Sequence, residues 1–153
     1  MPFFDSSPLL IDNNTVDQIT ETAEKLASIV NGYKIIYTKY NIIPIVKRIR
    51  PDNTEVPGSR QKVGSDKVKQ IEITYNLGQP EDEIGSCAVI FKKEYDRDDQ
   101  LTLTATITQI NTNYGKGIEI FLLYLMLLLS HQFDVKHVRI PISYEKEELI
   151  DGL

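Results

Sequence analysis

Two glycines precede the most apolar segment of the chain and could bring backbone amides close to an anion. Gly115 and Gly117 close a polar turn that begins at Asn111, and residues 118–129 after it are almost all aliphatic or aromatic. Glycine lets the backbone approach a ligand closely. The first amides of a helix lack partners within it and lie at the positive end of its dipole. If a helix starts at Gly117, the amides from Tyr114 onward suit a phosphate or a pyrophosphate.

The segment before this turn is predicted to be a strand whose alternation slips near its end. Apolar residues face one way at Leu101, Leu103, Ala105 and Ile107, and threonines face the other way at Thr102, Thr104, Thr106 and Thr108. Gln109 then stands where an apolar residue is expected, and Ile110 has the wrong parity. A slip of one residue predicts a β-bulge near residues 108–110, which would splay the strand from its next neighbour.

The remaining patterns place these segments in an α/β fold of the α+β type. A helix is predicted from Thr15, whose spacing to Gln18 is that of a capping box, to a stop at Asn31–Gly32. Strands are predicted at residues 33–40, 42–49, 68–75, 86–95, 101–110 and 136–143, and a buried central helix at residues 118–131. Pro44 confines its strand to an edge or a bulge. Together they predict one domain over residues 1–153, with an extended lead-in at residues 1–13 and a mixed, mostly antiparallel sheet of five to six strands.

The order of hairpin, bulged strand, glycine turn, helix and strand resembles the acetyl-CoA-binding core of the GNAT acetyltransferase superfamily. Gly115 and Gly117 match the central positions of its glycine motif, and the likeness covers about residues 85–143. It implies a GNAT-like fold with acetyl-CoA as the cofactor, the turn holding the pyrophosphate and the preceding backbone meeting the pantetheine arm and the thioester carbonyl. The cofactor-binding residues that the resemblance implies are Gln109, Ile110, Asn111, Thr112, Tyr114, Gly115, Lys116, Gly117 and Ile118.

The chain also departs from the pattern of that family. Thr112 stands where Gln or Arg is preferred, and Glu119 stands where a small residue is preferred. The Glu119 carboxylate would repel a pyrophosphate unless its side chain turned away. Only ten residues follow Ser143, so we expect no counterpart of the last helix and two strands, or of the tyrosine that serves as general acid. Glu94 and the acidic residues 81–83 are available as a base, but the catalytic residues stay unassigned.

A second feature that could bind anions is the long loop predicted at residues 50–66 and its flanks. The stretch has seven basic residues, Lys47, Arg48, Arg50, Arg60, Lys62, Lys67 and Lys69, and three acidic residues, Asp52, Glu55 and Asp66. Seven minus three gives a local charge of +4, enough to attract a phosphate, another small anionic ligand or a nucleic-acid backbone. Solvated side chains on a loop are the simpler interpretation, and no aromatic residues are interleaved to stack bases.

The overall composition narrows the class of protein. A net charge of −5 argues against a dedicated nucleic-acid binder. The single cysteine, Cys87, excludes an intrachain disulfide, and two histidines argue against a histidine-built metal site. Residues 118–129 are too few to span a membrane, and the N-terminus lacks the features of a signal peptide. We therefore expect a soluble, cytoplasmic protein without a transmembrane segment.

These observations leave two functions open. The first is an acyl-CoA-dependent N-acyltransferase, active or degenerate, in which a substrate amine attacks the thioester directly. The second is a non-catalytic assembly or binding protein, in which the apolar helix or the strand edges contact another copy of the chain or a partner protein. The glycine turn, the bulge and the basic loop favour the first function. Glu119 and the missing catalytic residues favour the second.

Overall fold

The computed structural model describes residues 9–33, 41–56, 67–78, 83–112, 116–135 and 137–140. The helices of this part of the chain are α1 at Asn13–Tyr33 and α2 at Lys116–His131. Its strands are β1 at Ile42–Ile49, β2 at Glu55–Val56, β3 at Gln70–Leu77, β4 at Gly85–Tyr95, β5 at Leu101–Thr112 and β6 at Val138–Arg139. Residues 34–40 and 141–143, which the sequence predicts as strand, lie outside the described residues.

The strands of the described residues form a single sheet in the order β2-β1-β3-β4-β5-β6. All neighbours pair antiparallel except β5 and β6, which pair in parallel and are connected through α2. The predicted α+β class with a mixed, mostly antiparallel sheet is therefore confirmed. The predicted hairpin of β4 and β5 is also confirmed, and the Asp96 side chain closes its turn by accepting hydrogen bonds from the amides of Asp98 and Gln100.

Both helices pack on the same face of this sheet. α1 lies over β1 and β3, where the Tyr75 hydroxyl donates a 2.6 Å hydrogen bond to the Ala23 carbonyl. α2 lies over β4 and β5, where the Cys87 thiol lies 3.7 Å from the Leu122 carbonyl. Tyr75 and Cys87 are register partners, so their side chains leave the sheet on the same side. We call this side the helix face and the opposite side the polar face.

The two faces follow from the alternation of apolar and polar residues along each strand. On the helix face, the buried core includes Ile71, Ile73, Tyr75, Leu77, Val89, Phe91, Ala105 and Ile107. On the polar face, β5 carries Thr102, Thr104 and Thr106, as its alternation predicts. The hydrophobic stabilisation of the sheet therefore comes from the helix face.

α1 begins at a cap other than the predicted one. Its buried stripe contains Val16, Ile19, Ala23 and Ala27, at helical spacing. The Asp12 carboxylate accepts a 2.7 Å hydrogen bond from the Thr15 amide, so Asp12 is the N-cap. The prediction that the helix begins at Thr15 is wrong, because Asp12 has the capping position and is the stronger capping residue. Tyr33, predicted as strand, is the last residue of α1.

The Asn31 side chain joins the end of α1 to the start of β1. Its Nδ2 donates a 2.9 Å hydrogen bond to the Ile42 carbonyl, and its Oδ1 accepts one of 2.7 Å from the Ile42 amide. A side-chain amide thus pairs with the first residue of β1 as a neighbouring strand would. These two hydrogen bonds fix the first residue of β1 beside the end of α1.

The loop predicted at residues 50–66 contains a short strand. β2 pairs with the last two residues of β1 through a turn in which Asn53 adopts a φ of 71°. The loop prediction is wrong for residues 55–56, because two residues are too few to produce an alternating pattern. β2 does not reach Pro44, and no described residue pairs with the outer edge of β1 there, as its proline predicts. Residues 57–66 lie outside the described part of the chain.

The lead-in segment contributes to the sheet through Ile11. Ile11 forms an isolated antiparallel bridge with Val68, and both side chains are buried. The predicted strand at residues 68–75 therefore begins later, at Gln70, and continues to Leu77. Residues 1–8 lie outside the described residues.

α2 is apolar around most of its circumference and is buried along most of it. Its buried residues include Ile118, Leu122, Leu123, Leu125, Met126 and Leu129. Tyr124 and Leu128 lie four residues apart on the outer side and are 54% and 47% exposed. The predicted buried central helix is therefore exposed along this stripe in the single chain.

Candidate functional site

The β-bulge lies in β5 at Thr108. The ladder passes from Ile107 to Gln109 between consecutive residues of β4, so Thr108 has no opposite residue. Beyond the bulge, Ile110 returns to the helix face and is buried. The bulge predicted near residues 108–110 is thereby confirmed, because the extra residue is what shifts the parity of the sequence.

The residues predicted to contact a pantetheine arm continue β5 beyond the bulge. Gln109 and Asn111 are exposed on the polar face. The Gln109 side-chain amide donates a 3.1 Å hydrogen bond to the Ser86 hydroxyl of β4. Thr112 is the last residue of the strand and lies opposite Gly85. Together with the buried Ile110, these residues lie at one end of β5.

Among the described residues, the edge of β5 after the bulge has no strand partner. β6 pairs with β5 at Ala105 and Thr106, just before Thr108. From Ile107 to Thr112, no described residue pairs with the edge of β5 that faces β6. Backbone N–H and C=O groups at such an edge can pair with an extended molecule that is added as a further strand. The splaying of β5 from its next neighbour stays a prediction, because residues 141–143 lie outside the described residues.

The first turn of α2 lies against the same end of β5. Gly85 marks this contact, because a Cβ added there would lie 3.1 Å from the Asn111 carbonyl oxygen, 3.3 Å from Leu122 Cδ1 and 3.4 Å from Ile118 Cγ2. A glycine at this position allows the close approach of the helix to the sheet. The first amides of α2 are therefore held next to the last residues of β5.

The residues of the glycine turn are only partly described. Lys116, Gly117 and Ile118 belong to the first turn of α2, whose amides have no partners within the helix. Tyr114 and Gly115 lie outside the described residues. Glu119 is half-buried in the same turn, where the helix dipole favours its negative charge. A phosphate bound at this turn would therefore experience repulsion from Glu119.

A cleft with a volume of about 650 Å³ lies at the opposite end of β5, between the hairpin turn and β6. The ionisable residues that line it are Glu94, Tyr95, Asp96, Arg97, Asp98, His137 and Arg139. Arg139 Nη2 donates a 2.9 Å hydrogen bond to Glu94 Oε2, an ion pair that spans β5 on the polar face. The hydrogen bond and the charge of Glu94 raise the pKa of Arg139.

The sequence named Glu94 as a possible base without giving it a partner. The two residues of the ion pair are 45 positions apart in the chain. Their contact depends on the register of the hairpin and on the parallel pairing of β6 with β5. A pattern within one segment of the sequence cannot predict either pairing partner across the sheet. Charged residues at the two strand ends that flank β5 are the signal that could have suggested it.

Cys87 is unsuited to nucleophilic chemistry. Its side chain is fully buried on the helix face. Burial raises the pKa of the Cys87 thiol to about 12, so the thiol stays protonated. Cys87 is therefore a small residue of the hydrophobic core.

Three further findings concern membrane insertion, metal binding and similarity to known proteins. In the described part of the chain, neither helix combines the length and the apolar character that crossing a membrane requires. The same residues contain no group of three or more His, Cys, Asp and Glu side chains placed to hold a metal ion. Neither a scan against models of protein families nor a search of curated proteins finds a match to this chain.

Proposed function

We propose that this protein binds an acyl-coenzyme A along β5 and acts as an acyl-CoA-dependent N-acyltransferase of the GNAT type, in an active or a degenerate form. One observation carries the proposal: beyond Thr108, the edge of β5 has no partner among the described residues, and this edge leads to the first turn of α2. The resemblance of residues 85–143 to the GNAT core supports the same assignment.

The coenzyme has groups that fit this edge in the required order. Its pantetheine arm is a linear chain with amide groups, which would pair with the backbone of residues 109–111 as an added strand. Its pyrophosphate would then reach the amides at the start of α2, at Lys116, Gly117 and Ile118. A backbone amide near Gln109 would polarise the thioester carbonyl and stabilise the negative charge that develops on its oxygen.

The cleft at the other end of β5 would attract the acyl acceptor, which would then move along β5 to the thioester near Gln109. Its carboxylates, Glu94, Asp96 and Asp98, favour a cationic amine as the substrate. The ammonium group would lose one proton to water, and the amine nitrogen would form a bond to the acyl carbon. The carbon–sulfur bond would then break, and coenzyme A would leave as the thiol after its sulfur takes up the second proton of the amine. The transferred group would thus remain on the amine.

Thermal unfolding in the presence of acetyl-CoA tests the proposal. A ligand that binds the native state raises the melting temperature by mass action. We expect acetyl-CoA to raise it more than inorganic pyrophosphate does, because the pantetheine arm adds pairing along β5. An unchanged melting temperature at millimolar acetyl-CoA would overturn the proposal.

The variant Glu119→Gln sharpens this test, because it removes a negative charge from the first turn of α2. We expect the affinity for acetyl-CoA to rise roughly fivefold, which corresponds to about 1 kcal/mol. Glu21→Gln removes the same charge from the exposed side of α1 and serves as the matched control. Equal affinities of Glu119→Gln and the wild type would mean that the pyrophosphate lies elsewhere.

A second function is favoured by the exposed stripe of α2. We propose, as the alternative, a non-catalytic protein in which Tyr124 and Leu128 contact another copy of the chain or a partner protein. Analytical ultracentrifugation at high protein concentration should then detect self-association, and the double variant Tyr124→Gln, Leu128→Gln should abolish it. A strictly monomeric mass, together with no partner recovered from the native source, would contradict this alternative.

A further inference from the structure

Arg48 is a buried charged residue whose Nε has no partner among the described residues. It lies in β1 opposite Ile71, which is buried on the helix face, so Arg48 leaves the sheet on that face. Only 5% of its surface is exposed. Within the described part of the chain, no group accepts a hydrogen bond from its Nε and no carboxylate forms an ion pair with it. A buried charge without a counter-charge lowers stability, so this arrangement requires an explanation.

The residue before Arg48 lies opposite a carboxylate. Lys47 is exposed on the polar face, where its register partner in β3 is Glu72. The exposed lysine therefore lies opposite a carboxylate, whereas the buried arginine lies opposite the aliphatic Ile71. The positive charge of β1 that has no carboxylate opposite it is therefore that of Arg48, on the helix face.

A second cation, Lys69, lies at the same end of the sheet as Arg48. Lys69 immediately precedes β3, and its backbone amide donates a 2.8 Å hydrogen bond to the Ile49 carbonyl of β1. The Lys69 ammonium group donates to Asn53 Oδ1, which is a neutral acceptor. Among the described residues, no carboxylate forms an ion pair with Lys69.

The described carboxylates of the adjoining turn and of β2 are engaged elsewhere. Asp52 accepts hydrogen bonds from the Thr54 hydroxyl at 2.6 Å and from the Thr54 amide at 3.0 Å. These bonds, the hydroxyl first, lower the pKa of Asp52. Glu55 is the register partner of Ile49, which puts it on the polar face. Neither carboxylate forms an ion pair with Arg48.

We propose that Arg48 and Lys69 bind a phosphate group, as the free ion or as a phosphate monoester, at the end of the sheet formed by β1 and β3. A guanidinium group presents parallel N–H donors that match phosphate oxygens in a bidentate arrangement. Two cations balance the charge of about −1.5 to −2 that a phosphate monoester carries at pH 7. This site is independent of the proposed acyltransferase function, because β3 and β4 separate β1 from β5.

An NMR titration of the full chain locates the binding directly. Amide signals are followed while inorganic phosphate is added, and in parallel while phenyl phosphate is added, at constant ionic strength. We expect saturable shifts of amides at residues 47–49 and 69–72, with those of residues 109–112 unchanged. The compound that binds distinguishes the free ion from the monoester, and binding of neither compound would overturn the proposal.

Two substitutions in β1 separate a binding role of Arg48 from a structural one. Arg48→Met removes the buried charge, and Lys47→Met is its control on the polar face. In the absence of phosphate, Arg48→Met should melt no lower than the wild type, because the charge that it removes is unpaired. The rise in melting temperature on adding phosphate should be lost in Arg48→Met and kept in Lys47→Met. Arg48→Lys keeps the charge without the planar fork and should weaken binding on the order of tenfold.

Three results would contradict the assignment. An Arg48→Met chain that does not fold, or that melts well below the wild type without phosphate, would mean that the protein itself neutralises Arg48. Undiminished stabilisation of Arg48→Met by phosphate would mean that the ion binds elsewhere. An equal loss in Arg48→Met and Lys47→Met would mean that phosphate responds to the general charge of this region.

Discussion

At the scale of single residues, Asp12 contributes more to α1 than its exposed position suggests. Its carboxylate accepts the Thr15 amide, and this hydrogen bond is the main reason that its pKa lies below the ordinary value. A carboxyl whose pKa is lower in the folded state adds stability above its unfolded pKa. That contribution is lost as the pH falls through the folded value.

We therefore expect Asp12→Ala to lose about 1 kcal/mol of unfolding free energy at pH 7. The loss should shrink below about pH 4, because the wild-type carboxyl then becomes protonated and no longer caps the helix as an anion. Urea unfolding at pH 7 and pH 3 measures both values. Asp17→Ala, which removes an exposed acidic residue of α1 that is not the cap, is the control. An equal loss at both pH values would contradict this account of the cap.

The reactivity of Cys87, which lies beside Tyr75 in the core, allows a second test at this scale. Both side chains are buried on the helix face, and burial raises the pKa of each. Because a thiol reacts as its thiolate, we expect Ellman's reagent at pH 8 to label Cys87 slowly in the native protein and rapidly in denaturant. Rapid labelling of the native protein would mean that α2 does not cover β4 as described.

At the scale of secondary-structure elements, the contact between α2 and β4 depends on the absence of a side chain at Gly85. We expect Gly85→Ala to lose about 1–3 kcal/mol of stability, because its Cβ would crowd a backbone oxygen and two side chains of α2. Gly32→Ala is the matched control, since nothing lies within 4 Å of its Cβ position. That substitution should raise stability by up to about 1 kcal/mol through the helix propensity of alanine. Similar effects of the two substitutions on urea unfolding would contradict the close approach of α2.

How well each element could be predicted depended on whether its cause was local. The strand of the hairpin and its bulge could be predicted because apolar residues and threonines alternate along residues 101–110 and the alternation slips by one residue near its end. The start of α1 was missed because Thr15 offered a second capping pattern, although Asp12 forms the cap. β2 was missed because it consists of two residues, which pair only because β1 lies beside them.

The candidate sites were harder to predict because they combine distant parts of the chain. The glycine turn was recognisable, and the structure puts residues 109–112 beside the first turn of α2. The pairing of Glu94 with Arg139 and the isolation of Arg48 could not be anticipated. Each depends on which residues lie opposite one another across several strands.

At the scale of the whole molecule, one sheet connects all the described elements. α1 and α2 share the helix face and contact each other, and their strands are neighbours in one continuous ladder. The prediction of a single domain therefore implies one cooperative unfolding transition. In guanidinium chloride, far-UV circular dichroism and tyrosine fluorescence should give the same midpoint. Two separated midpoints would mean that the regions under α1 and α2 unfold independently.

The hydrogen bonds between Asn31 and Ile42 have a practical consequence for engineering the chain. Both backbone polar groups of Ile42 are held by one side chain at the end of α1, so these two points stay together regardless of what connects them. The entropy of closing a longer connection rises slowly, by about 0.6 kcal/mol for each doubling of its length. A chain that retains Asn31 should therefore keep the end of α1 at the start of β1 even when an epitope or an affinity tag lengthens the chain between them.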